Sequence, residues 1–202
     1  MANGRSVIEN CWAGFKRLTR DEAESVKAKR HAVHCLVHAP TSLRVLESFP
    51  ARHLVMTIAR HDGMLGFPGG FVDPGETWLD CVNRELSEEI NLDLGKHSCT
   101  EADYLMSSLD QKSGFCLHLY HLPLSEADFF ALERRALDAV HWGMEVLGTS
   151  RVPLYTMKKG RKGLPIFLRH QFVGGAKLEL IEGLRLLNIL SAEEIETALK
   201  PN

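Results

Sequence analysis

Residues 70–92 read GFVDPGETWLDCVNRELSEEINL, a glycine followed by Glu76, then Arg84-Glu85, then Glu88-Glu89. Asp73-Pro74-Gly75 is turn chemistry, and Pro74 cannot continue a strand. Beyond it, apolar residues recur at helical spacing as far as Ile90. The stretch therefore predicts a loop running into a helix whose second half is acidic. Glu76 is expected in the first helical turn, where the macrodipole favours an anion. Asn91 is a reasonable stop, because asparagine tolerates the left-handed conformation that ends many helices.

At about 100° per residue, Trp78, Leu79, Val82, Leu86 and Ile90 fall on one apolar face. Glu89 lands between Trp78 and Leu86, Glu85 lies at the edge of that face, and Glu88 sits beside them. Burying carboxylates there is costly unless a cation neutralises them. A Glu-rich helix ordinarily turns its acids to solvent, but these acids lie on the apolar side. Hard oxygen donors so grouped suit magnesium or manganese rather than zinc.

A chain of 202 residues is long enough for one substantial core and short for two. Its apolar and charged fractions, 45% and 25%, are those of an ordinary soluble domain. A net charge of −2 predicts no strong global attraction to nucleic acid or anionic membrane, so a polyanion would have to be gripped locally. The five cysteines form no C-x-x-C pair, and three lie in strand- or helix-like runs, which favours reduced thiols and an intracellular setting. No signal-peptide pattern and no membrane-spanning run is expected.

Along the chain, residues 1–30 read as a polar N-terminal arm with a short helix near Arg20 and a basic end at Lys27, Lys29 and Arg30. Residues 31–202 read as one domain. HAVHCLVH (31–38) and HLVMTIAR (53–60) are strands. Gly69-Gly70 marks a place where backbone passes close to something. Tyr104-Leu105-Met106 and FCLHLYHL (115–122) follow as strands, Ser125 caps a helix to Arg135, and Ala139–Val146 reads as a further strand. A loop at 150–163 carries Lys158, Lys159, Arg161 and Lys162. A helix at 165–172 and a long amphipathic one through AKLELIEGLRLLNIL (176–190) close the chain. This order fits a mixed sheet between helices.

The stretch at 70–92 resembles the nudix box: Gly, five residues, Glu, seven residues, Arg-Glu-apolar-x-Glu-Glu, with Asn91 replacing the final glycine. LGFPGGFVD before it and VLGTSRVPLYTMKKGRKGLPIFL after it resemble the nudix family that decaps small nucleolar RNA and dephosphorylates inosine diphosphate. The resemblance covers residues 31–190 and implies an α/β/α sandwich with a mixed β-sheet. It also implies a homodimer acting in nucleus (nucleolus and nucleoplasm) and cytoplasm. Among that family's relatives is a syndesmos-like binding protein that lost the acidic helix, whereas this chain keeps Glu85, Glu88 and Glu89.

Carried over by position, the resemblance implies Mg2+ or Mn2+ held by the Gly69 carbonyl, Glu85 and Glu89 with Glu88 close by. Arg84 and Glu76 would pair beside it, and Glu88 or Glu89 would be the base. His34, Arg60 and Phe67 would form the substrate pocket, with Phe67 stacking on a purine. The bland readings are a structural histidine, a surface charge and a core aromatic. A family histidine at the metal site has no equivalent near Ser108 and Leu109. A family glutamine facing the purine falls on Glu179, where a carboxylate with two acceptor oxygens would favour guanine over hypoxanthine. The basic loop at 158–162 and the arm at 27–30 would hold RNA phosphates. The expected activity is a diphosphatase acting on capped RNA and purine nucleotides. The alternatives are a nucleotide-sugar or ADP-ribose pyrophosphatase, or an RNA- or protein-binding module with vestigial catalysis.

Overall fold

In the computed structural model, which describes residues 7–157 and 162–200, HAVHCLVH lies at the centre of a mixed sheet. The chain runs α1 (Val7–Cys11), β1 (Phe15–Leu18), α2 (Arg20–Ser25), β2 (Arg30–Pro40), β3 (Arg44–Val45), β4 (Phe49–Pro50) and β5 (His53–Arg60). Next come β6 (Leu65–Gly66), β7 (Gly69–Phe71), α3 (Trp78–Ile90), β8 (Tyr104–Asp110) and β9 (Phe115–Pro123). The last elements are α4 (Glu126–Arg135), β10 (Val146–Arg151), α5 (Leu164–Phe167), α6 (Ala176–Leu186) and α7 (Ala192–Leu199). The main sheet has the order β1-β8-β9-β2-β5-β10, with β6 on β5 and β7 on β2. Among the described strands of this sheet only β2 and β9 run parallel; the other pairs are antiparallel.

Alternation along β2 builds the two cores, since successive side chains point to opposite faces. Val33, Cys35 and Val37 pack with Cys81, Val82, Leu86 and Ile90 of α3 and Phe129 and Leu132 of α4. Leu36 faces the other way, onto Leu180, Ile181 and Leu184 of α6, with Ile8 of α1 and Ile195 of α7. The result is an α/β/α sandwich. The segment read as an N-terminal arm carries β1, paired with β8 from Phe15↔Asp110 to Leu18↔Ser107, and α2, capped by Thr19.

Three sequence expectations shift. The strand expected over Ala139–Val146 begins only at Val146, and turns precede it, held by hydrogen bonds from Val146, Glu145 and Met144 to the His141 carbonyl. The expected helix at 165–172 is the single turn of α5, after which Phe172 bridges to Leu65. The long closing helix ends at Leu186. Asn188 takes a left-handed φ of 54°, and Ser191 caps a separate α7. Leucine spacing continues across the break, so periodicity alone does not see it. Among the described residues, no helix is long and apolar enough to cross a membrane.

Candidate active site

Strand β2 meets β5 only over His38–Pro40, whereas over Ala32–His34 the same edge pairs with β7. The chain between β5 and β7 thus wedges into the sheet, and Cys35 N–H donates to Pro68 O at 2.9 Å. Gly69 is needed there. Its φ is +147°, and an added Cβ would lie 2.1 Å from the Val33 carbonyl oxygen. At Gly70 an added Cβ would come within 2.2 Å of Glu85 Oε1. The paired glycines therefore let α3 bring its acids against the strand.

The helix begins one step later than its sequence suggests. Thr77 is the N-cap, in a reciprocal capping box with Asp80, so Glu76 precedes the helix instead of sitting in its first turn. What holds Glu76 is Arg84. The guanidinium Nε donates to Oε1 at 2.8 Å and a terminal nitrogen donates to Oε2 at 3.1 Å, a two-point fork. The Glu76 carboxyl is held below its usual range, first by Arg84 and also by the Asp73 N–H. Arg84 further donates to Glu85 at 2.8 Å and Glu88 at 3.1 Å, so one cation sets three carboxylates. Asn91 closes the helix in the left-handed region, at φ 55°.

Glu89 is 2% exposed, and its Oε2 accepts the Gly69 N–H at 2.8 Å. Burial pushes its carboxyl up to about 8, with Glu85 and Glu145 adding repulsion that the Gly69 N–H and His34 only partly offset. Glu85 is also buried and raised by burial, although Arg84 pulls it back. Arg84 thus reaches Glu85 and Glu88 but not the buried Glu89, whose carboxylate is held by the Gly69 N–H. A cluster of hard oxygen donors with surplus negative charge fits a divalent cation of the magnesium or manganese type.

Sequence reading missed His141 and Glu145. They lie in the turns before β10, where His141 N–H donates to the Glu88 carbonyl at 2.9 Å and pins that turn to α3. Ligand atoms of Glu85, Glu88 and His141 lie within 4.8 Å of one another. His141 Nδ1 is 3.6 Å from Glu145 Oε1. No periodic pattern marks these residues; only their chemistry beside an acidic helix could have flagged them.

A cavity of about 480 Å³ opens next to the acids, lined among others by His34, Arg60, Gly69, Glu85 and Glu145, with Phe71 and Phe115 as its aromatic wall. Arg60 projects into it while donating to Asp62 Oδ2 at 3.1 and 3.2 Å. Phe67 does not line it. Its ring is 2% exposed and packs in the α6-side core, so the expected stacking face is not available. Phe71 and Phe115 are the rings that meet the cavity, edge to face, and Arg30 covers one face of Phe71 at 3.6 Å.

Glu179 is 1% exposed on α6, with Oε1 2.9 Å from His34 Nδ1. Burial alone would lower the His34 pKa, but the Glu179 carboxylate, and more weakly Glu89, carry it above its ordinary value. One Glu179 oxygen is thereby committed to His34, and the other is buried with no partner among the described residues. With one oxygen on His34 and the other buried, Glu179 does not offer a base the two free acceptors that would favour guanine. Lys158, Lys159 and Arg161 lie outside the described residues. Lys162 is exposed beside the Thr156↔Gly163 bridge.

A family model described as Nudt16-like, U8 snoRNA-decapping enzyme-like, matches residues 31–190. The chain is 36% identical over 187 residues to a U8 snoRNA-decapping enzyme of Xenopus laevis, covering 92% of this chain and 88% of that one. It is 38% identical over 188 residues to a Tudor-interacting repair regulator protein of Homo sapiens, covering 92% and 87%. The fold matches a solved Ap4A hydrolase of C. elegans with a TM-score of 0.50 at 13% identity, over 80% of this chain and 99% of that chain. With the box acids drawn together against the glycine strand and the match running from β2 to just past α6, the chain belongs to the U8 snoRNA-decapping-enzyme-like family of nudix hydrolases, which act on phosphoanhydride bonds.

Proposed function

We propose that the protein is a Mg2+- or Mn2+-dependent diphosphatase that removes the cap from RNA and hydrolyses purine nucleoside diphosphates such as inosine diphosphate. The observation that carries this reading is the pair of buried acids, Glu85 and Glu89, facing the glycine strand, Glu85 paired with Arg84 and Glu89 held by the Gly69 N–H. Glu85, Glu89 and the Gly69 carbonyl would hold the cation, with Glu88, Glu145 and His141 beside it. When bound, such an ion neutralises phosphate oxygens and acidifies a bound water. The protein's own share is positioning. Arg84, braced by Glu76, fixes the carboxylates; Arg60 and His34 face the cavity where phosphates would lie; Glu88 or Glu89 takes the water proton. Phe71 and Phe115 offer the base an apolar wall.

Lys158, Lys159, Arg161 and Lys162, with Lys27, Lys29 and Arg30, would grip RNA phosphates outside the pocket. Action as a homodimer in nucleus (nucleolus and nucleoplasm) and cytoplasm belongs to the same reading. The similarity to a Tudor-interacting repair regulator protein favours, as a second reading, a binding module with vestigial catalysis. Product analysis of capped RNA, inosine diphosphate and ADP-ribose with each metal separates these. Cleavage of the cap pyrophosphate and of inosine diphosphate is expected. Preference for ADP-ribose would support a nucleotide-sugar-type pyrophosphatase, and no turnover on any of the three would support the binding module. Changing the four loop cations to serine should weaken capped-RNA binding and flatten its salt dependence, with free nucleoside diphosphate turnover retained.

A further inference from the structure

On the far side of α3's first residue, three donors of a different chemistry converge. The parallel register of β2 and β9 sets His31 against Cys116 and Val33 against His118. Cys116 and His118, two apart on one strand, point to the same face, and His31 joins them from the next strand. Ligand atoms of the three lie within 4.8 Å of one another. Cys116 and His118 are fully buried.

The imidazoles are already aimed. His118 Nδ1 lies 2.6 Å from Ser107 Oγ, itself 2.7 Å from the Tyr104 hydroxyl. Donating Nδ1–H to Ser107 leaves the His118 Nε2 lone pair facing His31 Nδ1 at 2.9 Å. This supporting hydrogen bond on the remote ring nitrogen is the arrangement that orients histidine ligands. Trp78 stacks on His118 with ring centroids 3.6 Å apart and fixes the ring plane. Access is through His31, which lines a groove of about 370 Å³ with Glu24, Glu76 and Glu101. Arg20 in the same groove is neutralised by Glu24 at 3.0 Å and Glu101 at 2.6 Å.

We propose that His31, Cys116 and His118 form a second cation site, for zinc or a similar borderline-soft divalent ion, distinct from the carboxylate site. Two imidazoles and a thiolate match zinc's nitrogen and sulfur preference, which glutamate clusters do not. Binding displaces the Cys116 thiol proton to solvent, and His31 shifts its proton from Nδ1 to Nε2 so that both facing nitrogens can donate. The fourth position is left to water or a groove carboxylate. The ion clamps β2 to β9 directly beneath Trp78, the first residue of the catalytic helix.

The test is a Co2+ titration of the metal-stripped full chain, read by its thiolate-to-cobalt charge-transfer absorption. The band should grow to one ion per chain, be erased by competing Zn2+, persist in Glu89→Gln and vanish in Cys116→Ala. His31→Ala, at the half-buried rim, should weaken cobalt binding at least as much as losing a supporting hydrogen bond does, roughly tenfold. Circular dichroism checks that each variant is folded. No band in the wild-type protein at saturating cobalt overturns the proposal. So does a band that survives Cys116→Ala, which would point to the Cys35 and Cys99 sulfurs, 3.7 Å apart, or unchanged affinity in His31→Ala.

Discussion

Replacing Glu89 by glutamine keeps the volume and the acceptor for the Gly69 N–H, and removes one buried charge. In the metal-free protein this should stabilise the fold. A carboxyl that ionises near 8 when folded and near 4.5 when unfolded is better protonated in the native state. Between those values the native state holds the extra proton, so stability falls as pH rises, by about 1.4 kcal/mol per pH unit. From pH 5 to pH 8 the wild-type protein without metal therefore gives up roughly 3–4 kcal/mol that the glutamine variant keeps. For a chain of this size that corresponds to a melting-temperature gap of roughly 6–16 °C at pH 8, nearly closed at pH 5. Thermal melts in chelator across that range measure it. Added Mg2+ should raise the wild-type melting temperature most at high pH, and the variant's hardly at all, while turnover in the variant falls by orders of magnitude. Parallel melting curves for the two proteins at every pH, or wild-type turnover of Glu89→Gln at saturating Mg2+, would refute both the buried-charge argument and the ligand role.

Gly70→Ala pushes a methyl group into Glu85 Oε1, the far end of a flexible side chain. Activity should fall at least tenfold while the melting temperature moves little, whereas Gly69→Ala meets the Val33 carbonyl and should unfold readily; paired melts and assays distinguish them. Arg84→Lys loses the fork on Glu76, and a roughly 10–100-fold drop in kcat or metal affinity is expected. Glu179→Gln removes the charge that raises His34, so the His34 titration followed by NMR should move to lower pH. The stability this pair adds is present at low pH and lost as pH rises through the folded His34 value, so the variant's deficit should be largest below about pH 6.5. A His34 titration that does not move would exclude the pairing.

What the sequence determined alone was the local chemistry. Glu85, Glu88, Glu89 and Arg84 fall together because helical spacing stacks residues three and four apart. Asn91 ends the helix for a reason carried in its own side chain. The double glycine at 69–70 announced a close approach of backbone before any partner was visible. What only the tertiary structure decided came from contacts between distant segments. The wedge of β6 and β7 into the sheet buries Phe67 and brings Phe71 and Phe115 to the cavity, although all three are apolar aromatics in sequence. His141 and Glu145 reach the acids because a turn hydrogen-bonds to the carbonyl of Glu88, an interaction no periodicity encodes. Glu179 looks like an off-centre residue of an amphipathic helix, yet α6 packs over β2 and delivers it to His34. Periodicity records which residues share a face of one element; which face meets which neighbour is set by strand register and close packing, and these exist only once the chain has folded.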